Sequence, residues 1–190
     1  NIKKARSAAR TFNKKAPSAY WERTLADLHK DRDPRDYDKA RKHYRSYLGY
    51  AGKEDVDIWH GGASIWDVLN REKKYDEAMK WAEEWRKRYP SHSRSLEMIY
   101  LIGQTHRSRN RIADAAKVYN ELIDQYPDSN AALLCARSAI DSFTSDLRDG
   151  IVKKWFEKNP GDERAAELYL RLGQRYEPEA GGLERAIEAY

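Results

Sequence analysis

Residues 112–129 read IADAAKVYNELIDQYPDS, and the rest of the chain can be worked out from them. Ala115, Val118, Tyr119 and Leu122 fall at i, i+3, i+4 and i+7, which puts them on one stripe of an α-helix facing a core. Pro127 ends that helix, because proline has no amide proton and pushes the residue before it out of helical geometry. Asp128 and Ser129 follow, and a side-chain oxygen there can accept a bond from the free N–H groups of a next helix. The stretch therefore reads as a helix, a stop and the start of a second helix.

The same phrase returns on both sides. Tyr37-Asp-Lys-Ala40, Tyr75-Asp-Glu-Ala78 and Leu183-Glu-Arg-Ala186 each run from an apolar residue to Ala three places later, as Ile112-Ala-Asp-Ala115 does. With Ala5 and, in a weaker copy, Gly150, the small residues stand at 5, 40, 78, 115, 150 and 186. The intervals are 35, 38, 37, 35 and 36, so the chain is built of internal repeats. A second register agrees: Pro17, Pro90 and Pro127 each lie twelve residues after Ala5, Ala78 and Ala115. Polar residues suited to capping follow each stop, namely Ser18, Ser91, Ser129 and, after Pro160, Gly161-Asp162. Gly103 and Gly173 lie thirteen residues beyond a proline, where a small side chain inside a helix lets a neighbour approach closely. Ala78, Trp81, Ala82 and Trp85 form another core stripe.

Each repeat is read as two antiparallel helices, A then B. The A helices are expected near 18–30, 57–71, 92–108, 129–145 and 162–176, and the B helices near 2–15, 36–48, 75–88, 111–125, 147–158 and 183–190. The expected organisation is a single array over 1–190, with a partial hairpin at 1–17 and hairpins at 18–56, 57–90, 91–127, 128–160 and 161–190. Opening on a B helix and stopping inside another points to a segment of a longer protein, since repeat arrays need polar capping ends.

Composition agrees with a thin helical fold. Only 40% of residues are hydrophobic and 35% are charged, and Ala, Leu, Glu, Lys and Arg all favour helix. No apolar run approaches the roughly 18 residues that cross a membrane. Cys135 is the only cysteine, so no intrachain disulfide can staple the fold, and its apolar neighbours read as a buried helix face. Residues 1–48 hold 14 Lys/Arg against 6 Asp/Glu, whereas the remainder holds 22 against 25. The basic character belongs to the first quarter alone. A nucleic-acid binder would carry a continuous basic track, so nucleic acid is not the expected partner. The run Lys3, Lys4, Arg6, Arg10, Lys14 and Lys15 reads as a solvated helix edge.

At these residues the chain resembles the tetratricopeptide repeat. The resemblance rests on the apolar-Gly pairs Ile102-Gly103 and Leu172-Gly173, and on the small residues Ala40, Ala78, Ala115 and Ala186. It rests also on the aromatics Tyr44, Tyr119 and Tyr190 four places later and on the closing prolines. Arg88-Tyr-Pro-Ser91 and Gln125-Tyr-Pro-Asp-Ser129 are similar in style to bacterial cell-envelope members of the BamD-like and Tol-associated coordinator-like kind. The resemblance implies an all-α, right-handed superhelical solenoid of antiparallel helical hairpins, repeating about every 36 residues. It further implies a protein or peptide partner on the concave face, no cofactor, and residence in the periplasm or cell envelope. By register, Asp67, Arg71, Tyr100, Gln104, Arg107, Arg137 and Asp141 would point to that partner. Four features depart from the pattern. Trp66 replaces the usual Gly or Ala, the 49–56 link has no proline and reads as a long mobile loop, and the repeat around Gly150 is irregular. Asp33-Pro34 and Gly181-Gly182 lengthen two hairpin turns.

No Walker loop, Gly-x-Gly-x-x-Gly, His-Glu-x-x-His or paired-cysteine motif is present. The histidines at 29, 43, 60, 92 and 106 never stand four apart, which argues against a metal site. His60-Gly61-Gly62 reads as flexible glycines entering a helix rather than an oxyanion loop. Trp81 and Trp85 are expected in the core, while Trp59 and Trp66 read equally as core or as exposed anchors. The expected function is a non-catalytic interaction scaffold within a bacterial multiprotein assembly. Two alternatives stay open: an accessory segment presenting substrate to a larger enzyme, and nucleic-acid binding through the basic N-terminal hairpins.

Overall fold

A computed structural model describes residues 2–15, 17–52, 54 and 56–176. The described residues form ten α-helices and no strand: α1 (Ile2–Lys15), α2 (Ala19–Asp31), α3 (Tyr37–Leu48), α4 (Ile58–Arg71), α5 (Tyr75–Arg88), α6 (Glu97–Ser108), α7 (Ile112–Gln125), α8 (Asn130–Ser142), α9 (Ser145–Lys158) and α10 (Ala165–Tyr176). The chain divides into two compact units, 1–90 and 91–190. The expected B helix at 183–190, with Gly181-Gly182, Ala186 and Tyr190, lies outside the described residues.

In the first unit α1 packs on α2, α2 on α3, α3 on α4 and α4 on α5. Its core holds Ala26, Ala40, Tyr44, Ile65, Val68 and Ala78. In the second unit α6 pairs with α7 and α8 with α9, while α8 also touches α6 and α10. The core there is built around Ala115, Tyr119, Leu122, Cys135, Ile140 and Trp155.

Local chemistry sets the helix ends. Tyr89, Tyr126 and Asn159, each directly before a proline, share one geometry, with φ of −128°, −140° and −126° and ψ of 58°, 57° and 58°. Steric conflict with the proline ring holds all three out of the helical region. The turns after α4 and α6 also match. Lys74 and Arg111 donate to the carbonyls of Leu69 and His106, and Lys73 and Asn110 donate to Asn70 and Arg107. This is a Schellman closure, with Lys73 at φ 61° and Asn110 at φ 59° in the left-handed position.

Several expectations need correction. α6 and α10 begin at 97 and 165, later than expected, because a side chain diverts the backbone first. His92 Nδ1 accepts the amide of Arg94 at 3.2 Å, and Asp162 Oδ1 accepts that of Arg164 at 2.8 Å. Of the expected capping residues, Ser129 does accept from the amide of Ala132 at 3.1 Å, whereas Ser18 makes no such bond. α8 stops at 142 because Phe143 turns into the core and stacks on Tyr119 at 5.5 Å. Gly61 and Gly62 are no flexible entry: both are buried within α4, which Asp57 caps by accepting from the amide of His60. A Cβ on Gly62 would stand 2.3 Å from the Trp85 indole, so this glycine gives the close approach where Trp66 could not. Trp85 is buried, while Trp81 is half-buried and donates its indole N–H to the Gly62 carbonyl at 2.8 Å. Trp59 and Trp66 are both half-buried, Trp59 meeting Trp85 edge to face and Trp66 packing on the core. The described ends of the 49–56 link are anchored: Glu54 accepts from the Ala19 amide at 3.0 Å, and the Tyr47 hydroxyl from the Asp57 amide at 2.8 Å.

Gly150 is not the small packing residue of its repeat. It is exposed, and a Cβ there would meet nothing within 4 Å. The fourth residue of α9, matching Ala40, Ala78 and Ala115 at the fourth place of α3, α5 and α7, is Arg148. It is fully buried, with Nε donating to Asp149 at 2.9 Å and the guanidinium 4.6 Å from the Tyr176 ring.

Candidate functional site

Helical spacing brings five of the expected partner-binding residues to one place in the second unit. Tyr100, Gln104 and Arg107 follow i, i+4, i+7 on α6, and Arg137 and Asp141 follow i, i+4 on α8. Since α6, α8 and α10 lie side by side, these faces enclose a cleft of about 370 Å³. Leu134, Ser138, Ser142 and Arg171 complete its lining.

The floor of the cleft is a hydrogen-bonded network. Gln104 Nε2 lies 2.6 Å from the Tyr100 hydroxyl, 2.8 Å from the Tyr119 hydroxyl and 2.8 Å from Ser138 Oγ. An amide nitrogen has two protons to share among these three acceptors. Gln104 is therefore turned inward and 8% exposed, holding α6, α7 and α8 together. Burial raises the pKa values of Tyr100 and Tyr119, so both keep their phenolic protons. Gly103 makes room for Tyr119, whose ring also stacks on Tyr100 at 5.8 Å.

The rim is charged and open. Arg107 donates to Ser138 Oγ at 3.2 Å and to Ser142 Oγ. Arg137 pairs with Glu167, which also accepts from Arg171 Nε at 2.9 Å. Arg171 Nη1 stands 3.7 Å from Asp141. Burial would raise the Glu167 carboxyl, but the Arg171 hydrogen bond and the Arg137 charge outweigh it and hold the group below its usual range. Half-exposed ion pairs of this kind contribute about 0–1 kcal/mol, so an incoming group can exchange with them at little cost.

Asp67 and Arg71 are placed elsewhere, in the first unit, where Arg71 Nε donates to both Asp67 oxygens at 3.0 and 2.9 Å. Arg171 escaped the sequence reading although it stands 34 residues, one repeat, after Arg137. Ser138 likewise stands 34 residues after Gln104, so the same register would have found both. Cys135 is buried directly beneath this face, and burial pushes its thiol pKa up, away from nucleophilic chemistry. Among the described residues, no group of three or more His, Cys, Asp or Glu is arranged to hold a metal ion. No helix among them is long and apolar enough to cross a membrane.

Residues 97–129, which span α6, α7 and the turn into α8, match the tetratricopeptide repeat family model. No curated protein matches the chain. Among solved structures, the crystal structure of BtubC (BKLC) from P. vanneervenii is similar over 99% of this chain and 87% of that one, with a TM-score of 0.54. At 15% identity that likeness speaks for the fold alone. The narrower resemblance to BamD-like and Tol-associated cell-envelope proteins is not confirmed by either match. The chain therefore carries a tetratricopeptide repeat at residues 97–129, and its all-helical architecture fits a tetratricopeptide-like fold.

Proposed function

We propose that the α6–α8–α10 cleft is a docking surface for a peptide or protein segment, and that the chain is a non-catalytic scaffold within a bacterial multiprotein assembly. The tetratricopeptide repeat itself suggests protein–protein interaction. What carries the more specific reading is the division of labour in the cleft. Gln104, Tyr119 and Ser138 form a buried, hydrogen-bonded floor, while Arg107, Arg137, Arg171 and Asp141 form an exchangeable charged rim. A buried floor with a polar rim suits a partner that buries an apolar or hydroxyl-bearing anchor and trades ion pairs at the edge. Neither substrate presentation to a larger enzyme nor nucleic-acid binding gains support from the comparisons.

The test is photo-crosslinking from a reactive amino acid placed at Leu134 in the full-length protein in its native cells. Capture of one defined protein is expected, and the Arg107→Glu/Arg171→Glu variant should reduce it by about tenfold, as loss of interface arginines does. Gln104 is left intact because its substitution would break the buried network and confuse folding with binding. Unchanged capture by the variant would place the docking face elsewhere.

A further inference from the structure

The first unit holds a second cleft, and the case for it does not rest on the α6–α8–α10 reading. The basic run of α1 is organised and not simply solvated. Lys3, Arg6, Arg10 and Lys14 form one wall of a recess of about 660 Å³. His29, Arg35, Asp36 and Lys39, from α2, the following turn and α3, form the other.

The cations do not all do the same work. Arg6 serves the fold: its Nη2 donates to the carbonyls of Leu28, Arg32 and Pro34 at 2.8, 3.1 and 2.8 Å. Those carbonyls close the C-terminal end of α2, where the helix leaves acceptors unsatisfied and carries negative charge. Lys39 is engaged with Asp36. Lys3, Arg10, Lys14 and Arg35 have no acidic partner among the described residues. Beneath them lies His29, only 2% exposed. Its Nε2 stands 3.3 Å from Arg10 Nη2, and since a guanidinium can only donate, Nε2 accepts and the ring proton sits on Nδ1. That buried Nδ1 has no hydrogen-bond partner among the described residues. Burial, followed by the Arg6 charge, lowers the His29 pKa to about 4, so the ring is neutral near pH 7.

Spacing identifies the occupant. Lys3, Arg10 and Lys14 stand at i, i+7 and i+11 on one face of α1, a span of about 16 Å at 1.5 Å per residue. An extended peptide covers that length in about five residues. A row of cations that long matches successive carboxylates better than one compact anion. Nucleic acid fits less well, because the basic track on this face is only as long as the helix. We propose that the α1–α2–α3 cleft binds an acidic segment of a partner protein, extended along α1 with its carboxylates on Lys3, Arg10 and Lys14.

The experiment titrates a fluorescein-labelled hexaglutamate peptide with the full 190-residue chain by anisotropy, with hexaglutamine as control. Saturable binding of hexaglutamate alone is expected. Lys3→Glu/Arg10→Glu/Lys14→Glu should weaken it by about tenfold or more. Lys42→Glu/Arg45→Glu/Lys87→Glu, which changes net charge equally outside the cleft, should stay within about threefold. If far-UV circular dichroism shows the first variant unfolded, Lys3→Gln/Arg10→Gln/Lys14→Gln takes its place with the same expected loss. The proposal is overturned if both triple variants lose binding alike, if the cleft variant binds normally, or if a six-nucleotide oligothymidine binds as tightly as hexaglutamate.

Discussion

Gly103 and Gly150 are both helical glycines, yet their surroundings give them opposite roles. A Cβ at Gly103 would stand 2.3 Å from Tyr119 Cε1. That ring cannot yield, being fully buried, stacked on Tyr100 and Phe143 and tied to Gln104 through its hydroxyl. Ala at this site would ordinarily gain about 1 kcal/mol of helix propensity. Here overpacking wins, and Gly103→Ala is expected to destabilise the chain by about 1–3 kcal/mol in urea unfolding. Gly150 has open space around it, so Gly150→Ala should stabilise by about 0.5–1 kcal/mol in the same measurement. Equal effects from the two substitutions would contradict the packing described. The sequence alone places both residues on the repeat register but cannot separate them, since the difference lies in what stands opposite each. The same blindness hid Arg148, a buried cation standing where α3, α5 and α7 carry alanine.

At the scale of the element, most boundaries were legible because their causes are local. Pro90, Pro127 and Pro160 stop α5, α7 and α9 with one shared geometry, whatever the rest of the repeat does. The late starts of α6 and α10 were not legible, since they depend on His92 and Asp162 capturing an amide two residues on. The Schellman closures after α4 and α6 carry a prediction. Lys73 adopts φ 61° without the freedom of glycine, whereas Asn110, at φ 59°, is a residue that tolerates this region. Lys73→Gly should therefore raise stability by about 0.5–1 kcal/mol, seen as a higher melting temperature, with a smaller gain from Asn110→Gly. A fall in melting temperature for Lys73→Gly would mean that the lysine side chain contributes more than its backbone costs.

For the whole molecule, the single thiol gives a direct probe of the second unit. Cys135 is fully buried and its pKa is raised by burial, so reagent can reach it only when the core opens. Native-state labelling should run roughly a thousandfold slower than in denaturant, the protection expected of a core stable by about 4 kcal/mol. Labelling at the free-thiol rate would contradict the packing of α7, α8 and α9 around it. The charge distribution, read across the same scale, also changed in meaning. Composition located the basic excess in the first 48 residues, but not that Arg6 closes α2 while Lys3, Arg10 and Lys14 line a recess. Likewise, Tyr100, Gln104, Arg107, Arg137 and Asp141 were placed by register, which reaches Arg171 as well, yet only packing turned Gln104 inward. What the sequence determined by itself was the helices and their repeat. A 3.6-residue stripe, a proline stop and a polar start act within a few residues of backbone. What only the tertiary structure decided was which charges are spent on folding and which remain for a partner. That depends on contacts between helices about one repeat apart, where local pattern carries no information.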